Sequence, residues 1–358
     1  MSDQTREPEV SAQALAADVT TDEQARVEHA AEVAGESGPL QSIRRNEVLS
    51  VLLRNVGLVV VLILLAIIGT LTSDNFLTSD NLRNILVSSS VIGVVSVGMT
   101  FVIIGGGIDL SVGALVALAS VWATTVATQD YGAVAMVACA LLVGVGAGLV
   151  NGVLIAYGRL VPFIVTLAML VSARGLAAKM ADNRTQIVNV RVIIDIARKE
   201  VIGVPMLVVI LAVVVAVGWV VLNRTTFGRR TFAIGGNPEA ARLAGIDVRR
   251  HTAALYVLSG LCCGIAALML MARTTTGSST LGNLYELDAI AAVIIGGTLL
   301  SGGKGTLIGS ILGVLVFTTI TNIFILNNLA TEVQHIAKGL IIVAAVLLQS
   351  RTTREAKT

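Results

Sequence analysis

Arg224–His251 reads RTTFGRRTFAIGGNPEAARLAGIDVRRH. It is the longest polar interruption in an otherwise apolar chain, and it carries six arginines against Glu239 and Asp247. Local chemistry predicts a short helix inside it with both ends defined. Asn237 is a strong N-cap residue, because its side-chain oxygen can accept from an orphan backbone N–H. Pro238 falls at the first helical position, where its missing N–H costs nothing. Glu239 puts negative charge at the positive end of the helix dipole. Ala240, Ala241, Arg242, Leu243 and Ala244 favour helix, and Gly245 suits the left-handed position that ends it. A helix this short is marginal alone in water, so it leans on something else. Either it packs on its own protein as a loop helix, or it docks onto a partner.

The sequence on either side sets the class. Of 358 residues, 55% are hydrophobic and only 13% are charged, and the mean hydropathy is +0.85. Globular domains spend about a quarter of their residues on charge. Apolar segments of about 20 residues, enough to cross a bilayer as helix, recur along the chain. The fold class is therefore an all-α polytopic membrane protein. A net charge of +2 gives no reason to expect nucleic acid as a partner. Cys139, Cys262 and Cys263 all lie in apolar runs and suggest neither a disulfide framework nor a metal site.

Residues 1–43 differ from the rest. Asp3, Glu7, Glu9, Asp18, Asp22, Glu23, Glu28, Glu32 and Glu36 face only Arg6 and Arg26, which predicts a disordered acidic tail. The tail lacks the basic region and apolar core of a secretory signal. Arg44, Arg45 and Arg54 precede the first apolar run and favour a cytoplasmic N-terminus. Candidate spans over the transmembrane body, residues 44–350, are Asn55–Leu71, Ile85–Ile104, Leu110–Thr128, Ala133–Tyr157, Pro162–Met180, Val201–Leu222, Ala253–Met271, Leu287–Leu300, Leu307–Leu326 and Val333–Leu348. Starting inside, about ten crossings return residues 224–251 and the tail 351–358 to the cytoplasm, as the positive-inside rule prefers. Leu287–Leu300 is short for a full crossing and could be a broken helix.

Val102-Ile103-Ile104-Gly105-Gly106 recurs as Val293-Ile294-Ile295-Gly296-Gly297, and both copies end a segment running outside to inside. The echo suggests a parallel internal repeat, and Gly-interrupted segments at matching places point to a translocation path. Gly144, Gly148 and Gly152 lie on one helical face, as do Gly309 and Gly313, and small residues at that spacing let membrane helices approach closely.

Other apparent motifs fail. Thr298–Gly305 lacks the first glycine of a phosphate loop and the Ser/Thr after its lysine, and Gly144–Gly148 is followed by Leu149 where a dinucleotide fingerprint needs glycine. His29, His251 and His335 have no metal-ligand spacing with any acid or cysteine, and no nucleophile–base set is visible. Nothing points to a catalytic site, a resident metal or cofactor, or an ATPase site in this chain. Asp109 can cap the helix expected from Leu110. Asp288 and Lys338 fall near span ends, where an interfacial position accounts for them. The neutral polar residues Asn151, Thr166, Asn322 and Asn327 are candidates for lining a path or for inter-helix hydrogen bonds.

Glu239-Ala240-Ala241-x-x-x-Gly245 in an arginine-rich loop resembles the EAA motif of ABC importer permeases. Ala233-Ile234-Gly235-Gly236-Asn237-Pro238 narrows the likeness, as do Gly106-Gly107-Ile108-Asp109-Leu110-Ser111-Val112-Gly113 and Asn151-Gly152 with Pro162–Leu167. So does Tyr285-Glu286-Leu287-Asp288-Ala289-Ile290-Ala291-Ala292. Together, over residues 45–350, these strings resemble the ribose/xylose-type simple-sugar permeases. The resemblance implies an importer of the bacterial plasma (inner) membrane with both termini cytoplasmic. It implies a second permease copy, an ABC ATP-binding protein that holds the ATP-Mg, and a periplasmic or lipid-anchored sugar-binding protein. It places Gly235, Gly236, Asn237, Pro238, Glu239, Ala240, Ala241 and Gly245 in a coupling helix seated on the ATPase. Asp109, Ser111, Asn151, Thr166 and Asn322 are the candidate pathway or gate residues. The arginines could meet acidic ATPase surface or lipid headgroups.

The acidic tail is not part of the family pattern, and Val333-Gln334-His335 stands where these permeases often carry an aromatic residue and paired glutamines. The rival reading is a secondary transporter or channel. Sparse intramembrane charge argues against it, since ion-coupled carriers more often show buried carboxylates or an unwound ion site.

Overall fold

The computed structural model describes the backbone over residues 39–355 and side chains over residues 55–347. All but the end of the acidic segment 1–43 lies outside the described residues. The chain divides into two units, residues 1–56 and residues 57–358. The first helix, α1 (Pro39–Thr72), begins in the smaller unit. Then follow α2 (Ser79–Ile104), α3 (Val112–Ala123), α4 (Val126–Asp130), α5 (Gly132–Ala156), α6 (Pro162–Met180), α7 (Arg191–Arg198) and α8 (Met206–Arg224). The second half holds α9 (Thr226–Gly236), α10 (Pro238–Leu243), α11 (Val248–Thr274), α12 (Tyr285–Ile295), α13 (Leu307–Leu326) and α14 (Thr331–Glu355). Among the described residues, seven helices are long and apolar enough to cross a membrane: α2, α5, α6, α8, α11, α13 and the Asn55–Thr72 part of α1.

Two of the expected spans are broken helices. Leu110–Thr128 holds a 12-residue helix, α3, followed by the short α4, and Leu287–Leu300 holds only part of the 11-residue α12. At 1.5 Å per residue α3 and α12 rise roughly 16–18 Å, against a hydrocarbon thickness of about 30 Å. The chain writes these breaks chemically. Thr124 closes α3, Thr125 caps α4 with its side chain, and Leu284 enters α12 from a left-handed conformation (φ 63°). The expected start at Val201 also moves. Glu200–Val201 and Val204–Pro205 form a hairpin through Ile202 and Gly203, both at positive φ, and α8 begins at Met206. The last expected span, Val333–Leu348, falls within α14, and the tail 351–358 begins as its continuation.

Of the seven membrane-length helices, the most enclosed are α2 and α11, with 83% and 67% of their apolar stretch buried, against 22% for α5, α6 and α8. Helices apolar on all sides and half exposed are what a lipid-facing layer around an inner pair looks like. Along α5, the stripe Gly144, Gly148 and Gly152 lies against α11. A Cβ on Gly144 or Gly148 would overlap the carbonyl oxygens of Gly260 or Tyr256, and one on Gly152 would sit 2.7 Å from the Ala253 oxygen. At the end of the molecule away from α10, Gln186–Ile187 pairs antiparallel with Thr276–Gly277, so the loop between α6 and α8 is stitched to the one after α11.

The repeated pentapeptides form the same helix stop. Gly106 and Gly297 both take φ +84°. Gly106 N–H and Gly107 N–H donate to Ile103 and Val102, while Gly297 N–H and Thr298 N–H donate to Ile294 and Val293. This is the Schellman arrangement. Gly245 and Asn328 end α10 and α13 with the same bonds, so the shared cap reflects helix-ending chemistry and does not establish a repeat.

Candidate functional site

The polar stretch 224–251 folds as two helices joined at Asn237. Its side chain accepts from Glu239 N–H at 3.1 Å and Ala240 N–H at 3.0 Å, with Pro238 opening α10. Gly245, at φ +81°, ends it by a Schellman turn: Gly245 N–H donates to Arg242 and Ile246 N–H to Ala241. Only Ala241 is buried. Glu239, Ala240, Arg242 and Leu243 are exposed, and Leu243 is 78% exposed. Arg242 pairs with Glu239 across one turn and holds its carboxyl below the usual range, by hydrogen bond first and by charge second.

The base of this projection is closely packed. On α9, Thr231 Oγ1 lies 2.8 Å from His251 Nε2, and the Phe227 ring packs tilted against the His251 ring at 4.4 Å and approaches Phe101 of α2 at 6.2 Å. Beyond them three glycine segments meet backbone to backbone. Gly303 N–H donates to the Ile104 carbonyl at 2.9 Å. A Cβ on Gly235 would overlap the Ile104 oxygen and stand 2.6 Å from Gly303 N, and one on Gly302 would stand 2.8 Å from Gly235 O. Gly302 and Gly303 take φ +82° and +74°, conformations that suit glycine. The end of α9, the last turn of α2 and the loop between α12 and α13 are thus joined with no side chain between them. Gly236, the next residue toward α10, has open space where a Cβ would be.

A buried polar cluster begins just past the α2 cap. Asp109 Oδ1 accepts from Ser111 N–H at 3.0 Å and Ser111 Oγ at 2.6 Å, and Oδ2 accepts from Ser259 Oγ of α11 at 2.9 Å. Asn151 Nδ2 of α5 donates to Ser111 Oγ at 2.9 Å, while its Oδ1 is buried without a partner. Thr166 Oγ1 bonds within α6 to Pro162 O at 2.9 Å and reaches Ile108 O at 3.5 Å, an atom that also accepts from Tyr256 Oη at 3.2 Å. Asp109, Ser111, Asn151 and Thr166 therefore converge, each fully buried. Asp109 does not cap a helix from Leu110. It orders the turn into Ser111, and α3 starts at Val112. Asn322 lies elsewhere, in a reciprocal amide pair with Asn81 at 2.7 and 3.0 Å, and Asn327 bonds Thr72 at 3.1 Å.

Sequence reasoning misses several partners. Lys338 Nζ sits 3.1 and 3.2 Å from the two Asp288 oxygens and 5.2 Å from the centre of the Phe317 ring. This is a paired, largely buried charge. Their 50-residue separation leaves no local signal. The approach of Arg174 to Glu286 escapes a reading of the sequence, although Glu286 stands in the string Tyr285–Ala292, because packing brings the two together from distant parts of the chain. Among the described residues no group of three or more His, Cys, Asp or Glu side chains is placed to hold a metal ion.

Residues 81–346 match the family described as "Branched-chain amino acid transport system / permease component". The ribose import permease of Escherichia coli K12 is 39% identical over 306 residues, covering 84% of this chain and 94% of that protein. That of Bacillus subtilis is 37% identical over 292 residues, covering 81% and 91%. The D-allose transport system permease of E. coli K12 is 35% identical over 288 residues, covering 80% and 88%. No solved structure matches the chain. The family description speaks of amino acids, but the close full-length relatives are sugar permeases, and likeness over nearly the whole of both chains is the more specific finding. With several apolar membrane-length helices and these relatives, the chain is a multi-pass membrane protein that belongs to the simple-sugar ABC importer permeases.

Proposed function

We propose that this chain forms the translocation pathway of an ATP-driven importer for a monosaccharide or related polyol, and that Gly235–Gly245 couples it to a separate ATP-binding subunit. The observation that carries the reading is the contrast within residues 224–251. The exposed face of α10 ends in an unpartnered leucine, while its base is joined by backbone to α2 and to the loop after α12. A capped helix mounted this way passes a rigid-body displacement into the membrane helices instead of absorbing it. The relatives named for ribose, arabinose and allose support a pentose or hexose as cargo. The α10 end faces the cytoplasm in this reading, with both chain termini. The broken helices α3 and α12 count with their flanking loops as crossings, giving about ten traverses in two similarly oriented halves. The importer would contain a second permease copy and a sugar-binding protein outside, with ATP-Mg held by the ATP-binding subunit. The cluster Asp109–Ser111–Asn151–Thr166, with Asn322 apart from it, would act where helices part along the path.

The experiment is co-purification from the native membrane, followed by sugar uptake in vesicles with and without ATP. Glu239→Lys at normal membrane abundance is expected to lose the ATP-binding subunit and uptake together. Full transport by that variant would overturn the coupling assignment. Uptake by the chain alone on an ion gradient would favour the secondary-transporter reading.

A further inference from the structure

Two helices too short to cross a bilayer begin side by side: α3 at Val112 and α12 at Tyr285. A Cβ on Gly113 would overlap Gly282 O and Glu286 Oε2, and one on Gly282 would stand 2.8 Å from Gly113 O. The two N-terminal ends therefore touch through glycine backbone. Between them lies Glu286, 7% exposed, whose Oε2 is buried with no hydrogen-bond partner. Arg174 reaches in from α6. It donates to Ser279 O at 2.7 Å and Leu281 O at 2.9 Å through one terminal nitrogen, and to Gly282 O at 3.5 Å through the other. Its charge acts on the Glu286 carboxylate through space.

A buried carboxylate oxygen without a donor is costly, and a native fold keeps such an atom where something else completes it. The positive ends of α3 and α12 and the guanidinium offset the charge but give Oε2 no hydrogen. The missing group must donate to Oε2 and can accept from a free N–H of Arg174, which has five donors in all. A hydroxyl does both. A cation would meet Arg174 and two positive helix ends, and an anion would meet Glu286, so a neutral polyhydroxylated solute is the class that fits. Membrane transporters place cargo sites beside broken helices near the middle of the bilayer.

We propose that Glu286 and Arg174, at the meeting of the α3 and α12 N-terminal ends, form a hydroxyl-binding subsite for a sugar or polyol on its way through the protein. The subsite rests on the sugar-importer reading above. It is closed in this conformation, where Gly113 packs directly on the Gly282 carbonyl and on Glu286 Oε2.

The test uses the full chain in membrane vesicles with its ATP-binding and sugar-binding subunits, and radiolabelled D-ribose, L-arabinose and D-allose as probes. Glu286→Gln keeps the size and removes the charge. Uptake of whichever sugar the wild type carries is expected to fall roughly tenfold or more, the scale of one lost hydrogen bond to a charged group. Abundance, thermal stability and recovery of the ATP-binding subunit should stay at wild-type levels. Uptake near the wild-type level overturns the proposal. So does a loss accompanied by lowered stability, which would make Glu286 a structural residue.

Binding is read separately, without ATP, by labelling Ser279→Cys with N-ethylmaleimide in the otherwise intact chain carrying Cys139→Ala. The transported sugar should slow labelling, and Glu286→Gln should abolish that protection. No protection in the Glu286 background overturns the proposal. Wild-type uptake that needs no ATP would instead sink the importer reading while leaving the labelling result to stand.

Discussion

The Gly303 amide donates to the Ile104 carbonyl at 2.9 Å, with the Gly235 backbone filling the remaining space beside both atoms. Helix-end carbonyls normally look to water or to a side chain for a partner. Here the last turn of α2 takes its partner from a loop in the far half of the sequence, and the segment leading to α10 is pressed on the junction.

That junction separates two neighbouring glycines. Gly235→Ala places a methyl group on the Ile104 oxygen, so α2, α9 or the 302–303 turn must move. The expected cost is about 1–3 kcal/mol, typical of overpacking. Gly236→Ala meets open space and should stay within about 0.5 kcal/mol of wild type. Thermal unfolding in detergent ranks the two, and sugar moved per ATP hydrolysed reads whether the junction transmits motion. Equal behaviour of the two variants would show that the junction yields freely.

The same logic applies along α5. Gly148 faces the Tyr256 carbonyl of α11, while a Cβ on Gly146 of the same helix would have nothing within 4 Å. Gly148→Val is expected to unseat α5 from α11 and lower stability by roughly 1–3 kcal/mol or more, since backbone cannot move aside as a side chain can. Gly146→Val should be nearly silent. A destabilised Gly146→Val with a silent Gly148→Val would mean that the close face of α5 lies elsewhere.

The Asp288–Lys338 pair ties α14 to α12, with 8% and 17% of the two side chains exposed. Removing one partner leaves the other charge buried and uncompensated, at a cost of about 3–5 kcal/mol. Asp288→Asn or Lys338→Met alone should therefore be strongly destabilising, and the double variant should recover much of the loss. A double-mutant cycle on thermal stability measures the coupling. Additive losses would show that the two groups do not act as a pair.

What can be read in the sequence is local or periodic. Asn237, Pro238 and Gly245 define α10 because caps are decided by residues a few positions apart, and α2, α5 and α11 follow from long apolar runs. The break at Thr124–Thr125 is hidden for a physical reason, and the one around Leu287–Leu300 shows only as a span too short for a full crossing. Hydropathy averages over a window, and a short half-helix flanked by apolar loop residues has the same average as a full crossing. The polar site is half legible. Asp109 and Ser111 are near neighbours, but Ser259 and Tyr256 are brought in by packing over 148 to 150 residues of chain, and Asn322 is held away from the site by its pair with Asn81. Arg174 and Glu286 carry no spacing signal at all, because Arg174 reaches the start of α12 through the carbonyls of the loop that precedes it.

Leu243 offers the most direct check on docking by α10. It is 78% exposed on a helix whose only buried residue is Ala241, so replacing it removes nothing from the fold. Leu243→Ala should leave thermal stability within about 0.5 kcal/mol of wild type. If a partner covers this side chain, it buries a leucine worth roughly 1.5–3 kcal/mol, and truncation should weaken recovery of the ATP-binding subunit about tenfold or more. Because the contact is apolar, the deficit should persist at high salt, whereas any contribution from Arg229, Arg230, Arg249 or Arg250 should fade as salt screens it. Quantitative pull-down across a salt series separates the two. Undiminished recovery of the ATP-binding subunit by Leu243→Ala at every salt concentration would place the docking contact elsewhere on the 224–251 stretch.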